Sequence, residues 1–229
     1  ENNYSSIPKE YAIPTDADYF HCTSNNTIFG TQMKSFPETN VPVVCDMSSD
    51  IFSRVLDFSK FDIIYAGAQK NMGPAGTTLV VIKEEILGKT DKNIPNILNY
   101  QQHIDKESMY NTPAVFAVYT SLLTLQWLKN KGGIAAIEKE NEAKAKLLYT
   151  EIDRNPLFNG VVAVEDRSIM NVTFTLNNSI HQEKFDALVK VAGISGINGH
   201  RSVGGYRASI YNAMPIESVQ VLVDVMKNL

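Results

Sequence analysis

Lys70 and Asp46 are the residues of this 229-residue chain whose types and spacing most suggest chemistry. Lys70 follows an apolar run, Ile63, Ile64 and Tyr65, that ends in small residues and then Gln69. A Gly/Pro turn comes next, through Gly73, Pro74 and Gly76, and a second β-rich run starts at Thr77. A lysine where a buried strand opens into a glycine-rich turn can be held rigidly, partly desolvated, and aimed into a cleft at the carboxyl edge of a sheet. Such an amine can hold an aldehyde cofactor as a Schiff base. The same residues also fit a surface lysine in an ordinary loop. Asp46 closes the run VPVVCD, and fourteen residues separate it from Phe61, barely enough for a parallel crossover. If the two strands are parallel, both residues reach one edge of the sheet. A carboxylate there can keep a pyridinium nitrogen protonated while the lysine holds the far end of the ring. The alternative for Asp46 is a strand-end cap. Asp50, four residues on, reads as a helix-start or turn residue.

Other polar groups cluster at turns. Asn25, Asn26 and Thr27 follow the strand-like ADYFHC and could touch a cofactor's ring oxygen or phosphate, or be plain turn residues. Asn111 and Thr112 open a long helical pattern, where exposed amides bind phosphate or are simply capped. The span GINGHRSVGGYR, 196–207, holds four glycines, His200, Arg201 and Arg207. Arginine grips carboxylate or phosphate through parallel donors, so this span suits a small anion, with a solvated glycine loop as the alternative. His21, His103 and His181 show no metal-ligand spacing and read as structural or surface residues. Walker, nucleophile-elbow and nucleic-acid motifs are missing from the chain.

The elements that must position these groups can be read in outline. Residues 17–22, 41–46, 61–66 and 77–83 read as strands, the middle ones as continuous apolar runs expected to be covered on both faces. Residues 111–133 read as a helix, with Thr112 as N-cap, Pro113 at the first position, and Val115, Val118, Leu122, Leu125 and Leu128 along a helical stripe. Residues 134–154 read as a second helix, stopped by Asn155-Pro156. Strands at 160–164 and 169–176, a helix at 181–192, a strand at 206–211 and a helix at 215–229 complete the pattern. This describes an α/β chain: a mostly parallel sheet, then a small α+β part, with the border near residue 138. Net charge of -4 gives no general attraction for nucleic acid or anionic membranes. Cys22 and Cys45, in apolar runs, suit buried free thiols and a reducing compartment. No apolar run approaches a membrane span. The chain starts at Glu1 rather than methionine, which suggests a piece of a longer protein.

Four segments carry a resemblance: YAGAQKNMGPAG (65–76), LVVIKEEILGK (79–89), YNTPAVFAVY (110–119) and GHRSVGGYRASIYNAMP (199–215). Through them the chain resembles the phosphoserine aminotransferases, of the class V group within the fold-type I pyridoxal-phosphate enzymes, over essentially its whole length. The resemblance implies an incomplete large cofactor-binding domain at 1–138 and a small α+β C-terminal domain at 139–229. It implies pyridoxal 5'-phosphate as cofactor, with Lys70 as its Schiff-base lysine. Gln69 then resembles a phosphate ligand, Asp46 the pyridinium partner and Thr27 a contact on the ring's oxygen side. Asn111 and Thr112 resemble residues reaching the cofactor phosphate of the neighbouring subunit, which implies a homodimer with shared sites. His200 and Arg201 look like the pair that recognises substrate phosphate, and Arg207 the clamp for the α-carboxylate. The implied reaction passes an amine between glutamate and 3-phosphohydroxypyruvate, in the cytoplasm, for serine synthesis, with the phosphorylated hydroxythreonine step of pyridoxine synthesis as a further expectation. The family's N-terminal third, with its phosphate-gripping glycine loop, ring-stacking aromatic and a further arginine, is not found in the chain. The competing expectations are another class V transaminase or lyase, or a fragment that serves only as a dimerisation or binding module.

Overall fold

The structure, a computed structural model, describes residues 4–90, 92–201 and 203–229. Three strands of the first sheet run parallel: β1 (Phe20–Thr23), β2 (Val43–Asp46) and β3 (Ile63–Gly67). The fourth, β4 (Thr78–Ile82), is antiparallel to β3, because a short turn joins them. Cys22, Cys45, Ile64 and Ala66 point to one face and pack with Met47, Ile51, Phe61 and Met72. Both cysteines are free and buried, side by side in register. Along the middle strands β2 and β3 buried residues alternate with half-buried ones, so among the described residues the expected cover is full on one face and partial on the other; the exposed His21, Thr23 and Val81 lie in the edge strands β1 and β4.

The second sheet is antiparallel, in the order β5 (Phe158–Gly160), β6 (Asn171–Leu176), β7 (Tyr206–Ser209). The strand expected at 160–164 is displaced. Pairing ends at Gly160, and Val164–Asp166 forms a 3-10 turn instead. Three helices cover this sheet: α3 (Ile134–Arg154), α4 (Gln182–Val191) and α5 (Ile216–Lys227). Their core is aromatic. Phe185 meets Phe158 with ring centroids 5.3 Å apart and Tyr206 at 4.9 Å, both edge-on, and Tyr206 stacks on Phe174 at 5.4 Å. This apolar cluster is separate from that of the first sheet. The border expected at residue 138 falls inside α3, not at a loop.

Between the sheets lie the short α1 (Tyr100–Asp105), not anticipated from sequence, and α2 (Val115–Asn130). Helix α2 starts three residues after Thr112, and Ala114 precedes it without a side-chain cap, so the expected Thr112 cap is corrected. Gly132 and Gly133, at φ 101° and 75°, break the chain between α2 and α3 where a side chain would be strained. The stripe is covered only toward its C-terminal end: Leu125 is half-buried and Leu128 buried, while Val115, Val118 and Leu122 are exposed and Ala117 and Ser121 are buried in their place. The small side of the helix is the one that packs: a Cβ on Gly73 would lie 2.9 Å from the Ser121 hydroxyl, and one on Gly76 3.5 Å from Ala117. Among the described residues, no helix is long and apolar enough to cross a membrane.

Phe174 is fully buried at the centre of the second cluster. Phe174→Ala should cost about 3–5 kcal/mol in urea unfolding. A loss under about 1 kcal/mol would contradict this packing account.

Candidate active site

Parallel pairing sets three residues level at the carboxyl edge: Thr23 opposite Asp46, and Asp46 opposite Tyr65. The loops leaving that edge form the candidate site. After β1, Asn25 is buried and tied to Ser49 at 2.8 Å and to Asn171 of the second sheet at 2.9 Å. The Asn26 side chain accepts from the Ile28 and Phe29 amides, an Asx turn with Thr27 inside it. After β2, the Ser48 amide donates to Asp46 Oδ1 at 2.8 Å, and Ser48 Oγ accepts from the Gly67 amide at 3.0 Å. That pair stitches the ends of β2 and β3 together. Asp50 sits in a turn but is wholly buried, paired with Arg54 at 3.0 Å and bonded to Gln32 and Ser24. It is a structural anion.

The turn after β3 closes through the Met72 and Gly73 amides, which both donate to Ala68 O. Lys70 leaves it half-buried, and its Nζ donates to Thr27 Oγ1 at 2.7 Å. Burial pulls the Lys70 ammonium below the ordinary lysine value, and the nearby Arg207 charge pulls it further; Asp46 and Asp50 oppose them. The sequence-predicted Lys70, Thr27, Asp46 and Arg207 are therefore one electrostatic neighbourhood. Arg207 projects from β7 opposite Thr173, and its amide donates to Ile197 O at 2.7 Å. Its buried Nε has no hydrogen-bond partner among the described residues. A guanidinium donor left over in this way is a place for an anion.

Five expected residues stand apart from this contact set. Gln69 is exposed and folds back over Gly67, where a Cβ would meet its Oε1 at 2.5 Å. Asn111 and Thr112 are exposed before α2, and Asn111 Nδ2 donates to Thr112 O at 3.2 Å. His200 and Arg201 lie exposed on a glycine turn closed by the Val203 and Gly204 amides onto His200 O. They line a shallow cavity of about 400 Å³ with Asp186, Gly205 and Tyr206, which neither Lys70 nor Arg207 enters. Ser202, which follows Arg201, lies outside the described residues.

Sequence reasoning missed Tyr65. Its hydroxyl lies 2.9 Å from His21 Nε2, and burial followed by the Asp46 charge pushes it up. Strand alternation alone was the signal, since His21, Asp46 and Tyr65 share one face.

The chain belongs to the class-V aminotransferase family, whose model matches residues 4–222. It is 78% identical to the phosphoserine aminotransferase of Flavobacterium johnsoniae across its whole length, and 57% identical to that of Parabacteroides distasonis across 99% of it. It spans 64% of the length of each of these relatives. Among solved structures, it matches the phosphoserine aminotransferase from Bacillus circulans subsp. alkalophilus with 43% identity and a TM-score of 0.95. That match covers 99% of this chain and 64% of the other. The phosphoserine aminotransferase from Trichomonas vaginalis, solved with bound PLP, matches at 36% identity and TM-score 0.92, over 99% of this chain and 65% of its own.

The charge balance around Lys70 can be measured. Its rate of acylation against pH, followed by mass spectrometry of the tryptic peptide, should show a midpoint below the usual lysine value. Asp46→Asn should lower that midpoint further, because the carboxylate favours the ammonium. A midpoint raised or unmoved by Asp46→Asn contradicts the assignment.

Proposed function

We propose that the chain serves a phosphoserine aminotransferase, moving an amine from glutamate to 3-phosphohydroxypyruvate with pyridoxal 5'-phosphate as cofactor. The observation that carries this reading is the Lys70 amine, held by Thr27 at the carboxyl edge of parallel strands and pulled toward its neutral form. The residues present fit that cofactor. An aldehyde needs a neutral amine, a pyridine nitrogen needs an anion, and Lys70 and Asp46 supply these from adjacent strand ends. The orphaned Arg207 Nε fits the carboxylate that glutamate and 3-phosphohydroxypyruvate share. Once bound, the cofactor supplies an electron sink that makes loss of the substrate's Cα proton feasible.

The chain's own groups have these roles. Lys70 Nζ holds the cofactor and, when released from it, accepts and returns the Cα proton; a lowered affinity for protons suits that work near neutral pH. Thr27 orients the amine. Asp46 holds the ring nitrogen's charge, and the Ser48 amide, donating to its Oδ1, keeps the carboxylate oriented. Arg207 orients the α-carboxylate. Gln69 lies beside the lysine as a phosphate ligand, and His200 with Arg201 recognises substrate phosphate.

The same proposal includes a homodimer in which Asn111 and Thr112 reach the partner's cofactor phosphate. Its support is the exposed apolar side of α2, with Phe116 at 76% exposure beside Val115, Val118, Tyr119, Leu122 and Leu123, just after those two residues. It includes a division into a cofactor-binding part at 1–138 and a small part at 139–229, supported by the two separate apolar clusters. A cytoplasmic location is supported by two free thiols. A second reading, a class V transaminase for unphosphorylated substrates, draws on the position of His200 and Arg201 away from Lys70.

In the intact protein, Lys70→Ala should abolish the visible absorbance of lysine-bound cofactor and lower turnover by at least about a thousandfold. Normal absorbance and turnover would refute the role of Lys70. Arg201→Ala should raise KM for the phosphorylated substrate about tenfold or more and leave KM for glutamate unchanged. No change in either KM would favour the unphosphorylated reading.

A further inference from the structure

Three buried asparagines converge on one turn. Asn71 Nδ2 donates to Ile51 O at 3.1 Å, Asn212 Nδ2 to Phe52 O at 3.0 Å, and Asn141 Nδ2 to Ser53 O at 2.9 Å. Three successive carbonyls are thus capped by amides from three places: the lysine turn, the segment after β7, and helix α3. The asparagines also bond each other. The Asn212 amide donates to Asn71 Oδ1 at 3.1 Å, and Asn141 Nδ2 to Asn212 Oδ1 at 2.8 Å. None is more than 5% exposed. Phe52 itself sits at φ 57°, a conformation a bulky L residue keeps only when its surroundings hold it.

A lysine completes the array. Lys144, one turn along α3 from Asn141, is 1% exposed, and its Nζ donates to Ile210 O, Tyr211 O and Met214 O at 3.0, 2.8 and 3.0 Å. Those carbonyls flank Asn212. Burial pulls the ammonium down to about 8, so it stays charged at neutral pH, and the carbonyls take its donors.

We infer that this hub is a positioning device that, beside the Asn25–Asn171 bond, sets Arg207 relative to Lys70, an inference that rests on the roles proposed above for those two residues. Lys70 and Arg207 belong to different sheets with separate apolar clusters. Apolar contact alone is non-directional and leaves such parts free to slide. Amide hydrogen bonds are directional, and a slip would leave several buried polar groups unpaired at once. Asn71 adjoins Lys70 in the chain, and Asn212 follows the strand that carries Arg207, so the hub grips both supports directly. None of the three asparagines touches substrate; they act through the residues they hold.

The test uses the intact, cofactor-loaded protein and glutarate, a dicarboxylate with no amine to react, bound in a calorimeter. Asn212→Ala and Asn71→Ala are compared with Val189→Ala, a truncation in the second cluster on α4. The hub variants should raise the glutarate Kd at least about tenfold, while Val189→Ala, despite lowering Tm, leaves it within about twofold. An unchanged Kd in a folded Asn212→Ala protein, or an equal rise in Val189→Ala, overturns the inference. If Asn212→Ala does not fold, Asn71→Ala decides on the same criterion. The visible band of the unmutated protein reports separately on Lys70: its absence sinks the site reading and the hub together, whereas its presence with an unchanged Kd sinks only the hub.

Discussion

Parallel strands that pair in register end together, and the loops that leave them are delivered to one edge. Here the pairing of Thr23 with Asp46 and of Asp46 with Tyr65 decides where every candidate group can be. A slip of one residue would turn Asp46 to the buried face now held by Cys45 and Ile64. The carboxylate would then be buried without its Ser48 contact, and Lys70 would face a different neighbour. The apolar face of the sheet and the Ser48 bonds to both strand ends therefore maintain the electrostatics of the site as well as the fold.

Lys70 gains its character from competing effects. Partial burial and the Arg207 charge favour a neutral amine, and Asp46 and Asp50 favour a charged one. The net effect lowers the amine's hold on its proton, which suits the aldehyde-binding and proton-moving role proposed for it. Asp50 adds charge without taking part, since its oxygens are already occupied by Arg54, Gln32 and Ser24. The lysine turn is held from outside as well. Gly73 lies against Ser121 so closely that a side chain there would displace helix α2.

Much of this was legible in the residues, for identifiable reasons. The strands bearing Asp46 and leading to Lys70 announce themselves through short apolar runs closed by polar and glycine residues, and the crossover length permits the parallel pairing that the structure shows. The Gly/His/Arg span before β7 was visible as an anion-binding composition, and Arg207 does retain an unpaired donor. Helix α2 misled because its apolar side is so rich. Periodicity locates a stripe but does not say whether the large or the small side meets the rest of the chain, and here Ala117 and Ser121 do. Thr112 has the right type for a cap, yet Pro113 and Ala114 intervene before the first helical turn. The asparagine hub could not be read at all. Asn71, Asn141 and Asn212 are ordinary polar residues far apart in the chain, and only the tertiary fold brings them together.

The central claim is that residue 70 carries the aldehyde. Borohydride reduction of the intact, cofactor-loaded protein, followed by digestion and mass spectrometry, locates the bond directly. The account predicts the added mass on the peptide containing Lys70 and on no other lysine. Added mass on another lysine such as Lys144, or none anywhere in a protein that still retains its cofactor, would contradict it.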